Sequence, residues 1–193
     1  MKRFFCTILA AAAITPGCAS AAGPVGGQFE MFDVAVQGNR VVGRYLEEQG
    51  AGPVRKCSFD FSGQLRPDGR ATVTARGPGG RPVPGVLNLK NDELTLNMPA
   101  VNSFGGCSVP QGEPLSGSRT LTAVWIDLAR VTAPRARFRT TPTVAPSTRY
   151  VVRGDLVGVL RRNGHAMLVQ FARGEGKPTQ GWIDATEAQS VAP

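Results

Sequence analysis

The sequence predicts an all-β protein, an antiparallel N-terminal barrel or sandwich followed by a second, smaller β-barrel. Three observations predict it. Apolar and polar residues alternate at period two, most plainly in Cys57-Ser58-Phe59-Asp60-Phe61, where Cys57, Phe59 and Phe61 share one strand face. Turn signals, many of them drawn from the 24 glycines and 15 prolines, recur every eight to twelve residues, the spacing of short antiparallel strands. No coiled-coil heptad or internal repeat runs through the chain, and its last third carries no amphipathic helix. At 193 residues the chain is too long for one small barrel and divides into two domains after an amino-terminal segment.

That segment, residues 1–22, reads as a secretory signal peptide. Met1-Lys2-Arg3 is charged, Phe4 to Ile14 is apolar, and small residues run through Ala22. The apolar run is too short to span a bilayer, and no later run is long enough. Cys18 offers a second outcome, lipidation as in a bacterial lipoprotein; Gly17 suits that motif, but its usual leucine is missing. Cleavage after Ala21 or Ala22 leaves two cysteines, Cys57 and Cys107. In an oxidising periplasmic or extracellular setting they most simply pair. Closing a loop of that size stabilises a fold by about 4 kcal/mol on the chain-entropy model.

Residues 23–127 form the first domain. Phe29 to Val36 reads as a first strand and Val41 to Leu46 as a second, returning after Gln37-Gly38-Asn39. The Cys57 strand follows a polar loop. Pro67-Asp68-Gly69 is a turn, since proline presets one φ and glycine accepts a positive one. A strand rich in Thr and Val runs from Arg70 to Ala75, and Val86–Leu89 and Leu94–Met98 make a hairpin around Asn91-Asp92. Cys107 lies in a loop from Pro99 to Ser118, and Thr120 to Ile126 closes the domain. With Cys57 facing inward, a bridge ties that loop to the wall. The alternation is loosely similar to that of lipocalin-like barrels and of small periplasmic inhibitors of wall-cutting enzymes, a likeness of pattern alone. The boundary falls near Asp127 to Pro134.

Charge is divided unevenly. Gly23 to Asp127 holds ten Lys/Arg and ten Asp/Glu; Leu128 to Pro193 holds ten and four, a net +6. Such asymmetry points to an anionic partner for the second domain: a wall polymer, lipopolysaccharide or an acidic protein face. The competing explanation is a general preference for arginine as surface cation.

Residues 128–193 carry a recognisable order of motifs. Phe138-Arg139-Thr140-Thr141-Pro142 opens it, and Gly154-Asp155 leads into a strand with Leu156, Val157 and Val159. A turn at Arg162-Asn163-Gly164 precedes Met167 to Phe171, and Gly181-Trp182-Ile183 closes. Over about residues 130–187 this resembles the bacterial SH3-like (SH3b) domain, which implies a small β-barrel that binds a cell-wall component or a protein. The sequence departs from that pattern at Ala166, where the family carries an aromatic; a groove lined by that aromatic is incomplete here. Independently of the resemblance, Pro142 and Pro146 hold an extended, poorly paired segment, because proline lacks the amide donor a ladder needs. Arg139, Tyr150 and Trp182 are the candidate binding residues, since guanidinium and aromatic groups give large contact area. For Trp182 the alternative is a core position in the small barrel.

Catalytic chemistry finds little to use. The single histidine, His165, sits in the expected hairpin with no cysteine or carboxylate at ligand spacing, so no metal site is expected. A nucleophilic triad would depend on that one turn residue. Glu47-Glu48 and Asp92-Glu93 fall in loops and turns, and neighbours on a strand point to opposite faces, unlike a glycosidase pair. No glycine loop opens a helix for phosphate. The arginines lack the aromatic interleaving of a nucleic-acid platform. The expectation is an exported, non-catalytic binding protein without cofactor or metal, using its basic module on a wall polymer or exported protein. The alternative is a periplasmic inhibitor or immunity protein that blocks a wall-degrading enzyme through residues 23–127.

Overall fold

The computed structural model describes residues 25–49, 55–172 and 177–191; the expected signal peptide and Cys18 lie outside the described residues. Eight strands form an antiparallel meander: β1 (Gly27–Phe29), β2 (Phe32–Gln37), β3 (Arg40–Gln49), β4 (Arg55–Leu65), β5 (Arg70–Arg76), β6 (Val83–Lys90), β7 (Glu93–Asn97) and β8 (Leu115–Thr122). Strand β8 returns to β1, with Gly27 opposite Thr122 and Gln28 opposite Leu121, and closes a barrel. The first domain is thus a barrel and not a sandwich; closure leaves no strand edge unpaired.

Period two explains the filling. In β5, Ala71, Val73 and Ala75 are buried while Arg70, Thr72, Thr74 and Arg76 face out. An aromatic column runs through the interior from Phe32 to Tyr45, Phe59 and Phe104, with successive ring centroids 4.9, 5.1 and 5.2 Å apart. Cys57 on β4 is bonded to Cys107, 50 residues on. The same loop folds Phe104 beneath Phe59, and Asn102 brackets Val109: its Nδ2 donates to the Val109 carbonyl and its Oδ1 accepts from the Val109 amide, both at 2.8 Å.

Two strands differ from expectation. The segment from Phe29 to Val36 is a hairpin, since the chain reverses at Glu30-Met31 and Phe29 pairs with Phe32. The closing strand spans Leu115–Thr122 and not Thr120–Ile126. Arg119 accounts for the second difference. It lies over the Phe29 ring, 4.4 Å from the centroid, and donates to the carbonyls of Val25 (3.0 Å), Gly26 (2.6 Å) and Asn91 (3.0 Å) and to Asp92 Oδ1 (3.1 Å). Its buried charge satisfies the carbonyls that lead into the first strand, where first and last strands meet.

Beyond the connection Ala123–Ile126 the chain enters a second unit with a strand that begins at Asp127. Here lie β9 (Asp127–Val131), β10 (Arg135–Arg137), β11 (Tyr150–Val152), β12 (Leu156–Asn163), β13 (Ala166–Phe171), β14 (Thr179–Asp184) and β15 (Ala188–Ser190). Five of them make one antiparallel sheet in the order β14-β13-β12-β9-β15, and β10 pairs with β11 as a separate ribbon. Val157, Val159, Met167, Val169 and Ile183 from the sheet pack with Ala136, Phe138 and Val151 from the ribbon side. Pro142 and Pro146 fall between β10 and β11, in chain without strand structure. In the β12–β13 hairpin the two connecting residues are Gly164 and His165, one position later than Asn163-Gly164, because Asn163 pairs with Ala166; Gly164 takes the positive φ of 55°.

The two units meet over a small apolar cluster: Ala35 and Val42 on the outer wall of the barrel, Ala123 and Trp125 from the connection, and Leu128 from β9. Trp125 is 2 % exposed and donates from Nε1 to Gln170 Oε1 at 2.8 Å. Its indole covers Gly158, where any Cβ would run into the ring. Asp127, also buried, joins both units: it accepts from Arg162 at 2.8 Å and Ser190 at 3.2 Å and pairs with Arg40 of β3 at 3.7 Å.

Candidate functional site

The sequence-predicted binding residues lie in the second unit, and the structure brings two of the three together. Arg139 and Trp182 form an antiparallel bridge, each amide bonded to the other's carbonyl at 2.8 and 2.9 Å. Across β14 and β13, Trp182 stands opposite Leu168, and Leu168 opposite Arg161 of β12. Directly opposed residues share a face, so Arg161, Leu168, Trp182 and Arg139 make one cross-strand row. The Arg161 guanidinium lies 5.1 Å from the Trp182 ring centroid. Trp182 is 6 % exposed, yet its neighbour Ile183, not Trp182, belongs to the core of this unit. Alternation therefore puts the indole on the outer face of the sheet, with Phe138 filling the interior against Gly181.

Beside this row a groove of about 260 Å³ is lined by Arg139, Thr140, Ser147, Arg149, Leu168 and Gln180, among others. The buried Nε of Arg139 has no hydrogen-bond partner. Tyr150 stands apart from the row. It is 45 % exposed on β11, opposite Arg137, and the Arg135 guanidinium sits 4.9 Å from its ring centroid. Ribbon and row together expose Arg135, Arg137, Arg149, Arg153 and Arg161. None of these, nor Arg139, meets a carboxylate within 4.0 Å among the described residues.

The reason lies in what the carboxylates of this unit do. Asp155 Oδ2 accepts from the Val152 amide at 2.8 Å. Asp184 and Glu187 form a capping box on the short turn Ala185–Glu187, whose Thr186 amide bond, the larger cause, helps hold the Asp184 carboxyl below its ordinary value. Asp127 is taken by Arg162 and Arg40, Asp155, Asp184 and Glu187 serve backbone donors, and the arginines of ribbon and row face solvent. His165 is exposed in its turn. Among the described residues no group of three or more His, Cys, Asp or Glu is placed to hold a metal ion, and no helix is long and apolar enough to cross a membrane.

Sequence reading missed a second locus, the cleft between barrel and sheet, which involves Asp33, Arg44 and Trp125. Its signal was present in Val34-Ala35-Val36 and Val41-Val42, where apolar residues occupy both faces of β2 and β3 and so announce a covered outer wall. Burial is the main reason the Asp33 carboxyl is pushed up to about 6, against the opposing pull of the Arg44 charge and a hydrogen bond from Gln28. With an ordinary value of 3.8, the folded protein takes up this proton before the unfolded one does. Its contribution to stability therefore grows as pH falls through that window. Asp33→Asn is expected to stabilise the fold near neutral pH by up to about 3 kcal/mol, at about 1.4 kcal/mol per pH unit. In urea melts the gap between variant and parent should close between about pH 7 and about pH 4; a gap constant with pH would reject this origin.

No family model, no curated protein and no solved structure matches the chain, so function rests on these two sites.

Proposed function

We propose that this is an exported, non-catalytic binding protein that docks on an anionic cell-wall component through its C-terminal, SH3-like module. The observation that carries the reading is the set of arginines without carboxylate partners around Trp182 and Tyr150. The net +6 of residues 128–193 supports it, because a single-sign patch attracts an oppositely charged polymer. Arginine forks suit phosphate and carboxylate oxygens, the half-exposed Tyr150 ring adds contact area, and the buried Trp182 ring backs Arg161. The Cys57–Cys107 disulfide supports export into an oxidising compartment, in keeping with the signal-like residues 1–22.

The test is cosedimentation of the whole protein with a purified anionic wall fraction across a salt series. Binding should weaken steadily as salt rises, since screening shortens electrostatic reach. Arg137→Gln with Arg149→Gln and Arg153→Gln should lose most of it and flatten the salt dependence. A triple exchange on the barrel, Arg66→Gln with Arg70→Gln and Arg81→Gln, should leave it intact. Equal loss in both triples, or binding indifferent to salt, would remove the docking face.

A second reading, an inhibitor or immunity protein acting on a wall-degrading enzyme through the barrel, is favoured by the Cys107 loop. The disulfide and the Asn102 bracket hold it in place, and Pro110 to Pro114 are exposed. A pre-ordered loop binds without the cost of being ordered. An enzyme target released by changes at Gln111 and Glu113, with wall binding absent, would favour that reading over the first.

A further inference from the structure

The cleft between the two units has the charge pattern of a site for a small zwitterion. It holds about 300 Å³, the low end of the ~300–1,000 Å³ of small-molecule sites, which gather at domain junctions. One wall is the outside of the barrel, with Gln28, Asp33, Arg44 and Leu46; the other is the second unit, with Trp125, Gln170 and Phe171.

Asp33, Arg44 and Asp60 stand directly opposite one another across β2, β3 and β4. Arg130 of β9 takes Asp60 in a two-oxygen contact at 3.1 and 3.0 Å. That leaves Asp33 and Arg44 as an opposed couple without an ion pair. Among the described residues Asp33 has no cation within 4.0 Å, and its Oδ1 accepts from Gln28 Nε2 at 3.2 Å. Arg44 reaches Ser58 Oγ at 3.5 Å, and its buried Nε has no partner. Nearby, Asp155 is engaged by the Val152 amide, and Gln170 accepts from Trp125 with its oxygen, leaving its amide donors available.

We propose that this cleft binds a free α-amino acid with an apolar side chain, its carboxylate at Arg44, its ammonium at Asp33 and its side chain against Leu46, Trp125 and Phe171. A simple anion at Arg44 would meet the Asp33 charge, and a simple cation at Asp33 would meet Arg44 and Arg130. A zwitterion satisfies both. Facing stems on adjacent strands stand ~4.5–5.5 Å apart, while the two charged ends lie more than 4.0 Å apart, a gap that a ligand carrying both charges can bridge. Leu46, 38 % exposed, is one of the few large apolar side chains left in solvent.

The test uses the whole protein, titrated calorimetrically with phenylalanine, phenylalaninamide and N-acetylphenylalanine. Phenylalanine should bind saturably at millimolar concentration, and each blocked form should bind roughly tenfold more weakly or worse. Asp33→Asn and Arg44→Gln should each cost a comparable factor. The Asp33 variant carries the decision, because it is expected to fold at least as well as the parent; its melting curve checks this. Affinity should also fall as pH drops through about 6, where Asp33 takes up its proton; the other charged groups that face it are Arg44, Asp60, Arg130 and Asp155. No saturable binding of phenylalanine, equal affinity for the N-acetyl form, or full affinity in Asp33→Asn would each overturn the assignment. The arginine triple of the docking face should bind phenylalanine like the parent, which keeps the two sites separable.

Discussion

Trp125→Ala is expected to destabilise the protein by about 3–5 kcal/mol, the usual cost of emptying a large buried aromatic site. More than volume is lost. The indole is the main side chain that the two units share: it packs with Ala35 and Val42 of the barrel and with Leu128 of the sheet. Its bond to Gln170 would also go, leaving that amide oxygen with no protein donor. Barrel and sheet should then uncouple, so that one urea transition becomes two, the second unit melting first. Gly158→Leu should act in the same direction from the other side, since no Cβ fits beneath the ring. A single transition with unchanged midpoint in both variants would show that the junction contributes little.

Removing the disulfide is the second large effect. Cys57→Ser with Cys107→Ser should cost about 2–5 kcal/mol, with about 4 kcal/mol expected for a 50-residue loop on the entropy model. Cys57 is fully buried in β4, so the serine hydroxyl adds a polar group among apolar neighbours. The Cys107 loop, which carries Phe104 into the aromatic column, should become sensitive to protease. Denaturation of the parent with and without reductant checks the same quantity without substitution. Coincident curves would mean that the loop holds its place by packing alone.

Much of the barrel was legible because its strands obey a local rule. Arg70–Arg76 alternates without exception, and the Asn91-Asp92 hairpin lies where turn chemistry puts it, with Asn91 at a φ of 55°. What failed was also local. Glu30-Met31 reverses the chain with no glycine, proline or asparagine to mark it. Strand β8 was hidden by Gly117 and Arg119 at inward positions, where an apolar residue is the expected sign. Barrel or sandwich could not be decided, since the pairing of Gly27 with Thr122 is a contact between distant segments. Charge division drew attention to residues 128–193, and the Arg139–Trp182 pairing follows from the fold alone. Trp182 itself was framed as core or groove; one residue of strand phase places it on the outer face, beneath Arg161. Trp125 went unnoticed because Thr120 to Ile126 looked like a continuing strand.

The placement of β9 bears on how the molecule is made. Synthesis runs from the amino end, and the barrel needs nothing beyond Thr122 to close. The second sheet is different: β9, first of its strands to be made, waits for β12 on one side and for β15, the last described strand, on the other. A ribosome has to release the chain through Ser190 before β9 has both neighbours. The barrel can therefore be complete while the arginine-rich unit is still open, and its outer wall, with Ala35 and Val42, is then the surface on which the later sheet assembles. Stalled or truncated chains lacking the last few strands should accumulate as folded barrels with an uncovered apolar stripe, the species most exposed to chaperones and proteases.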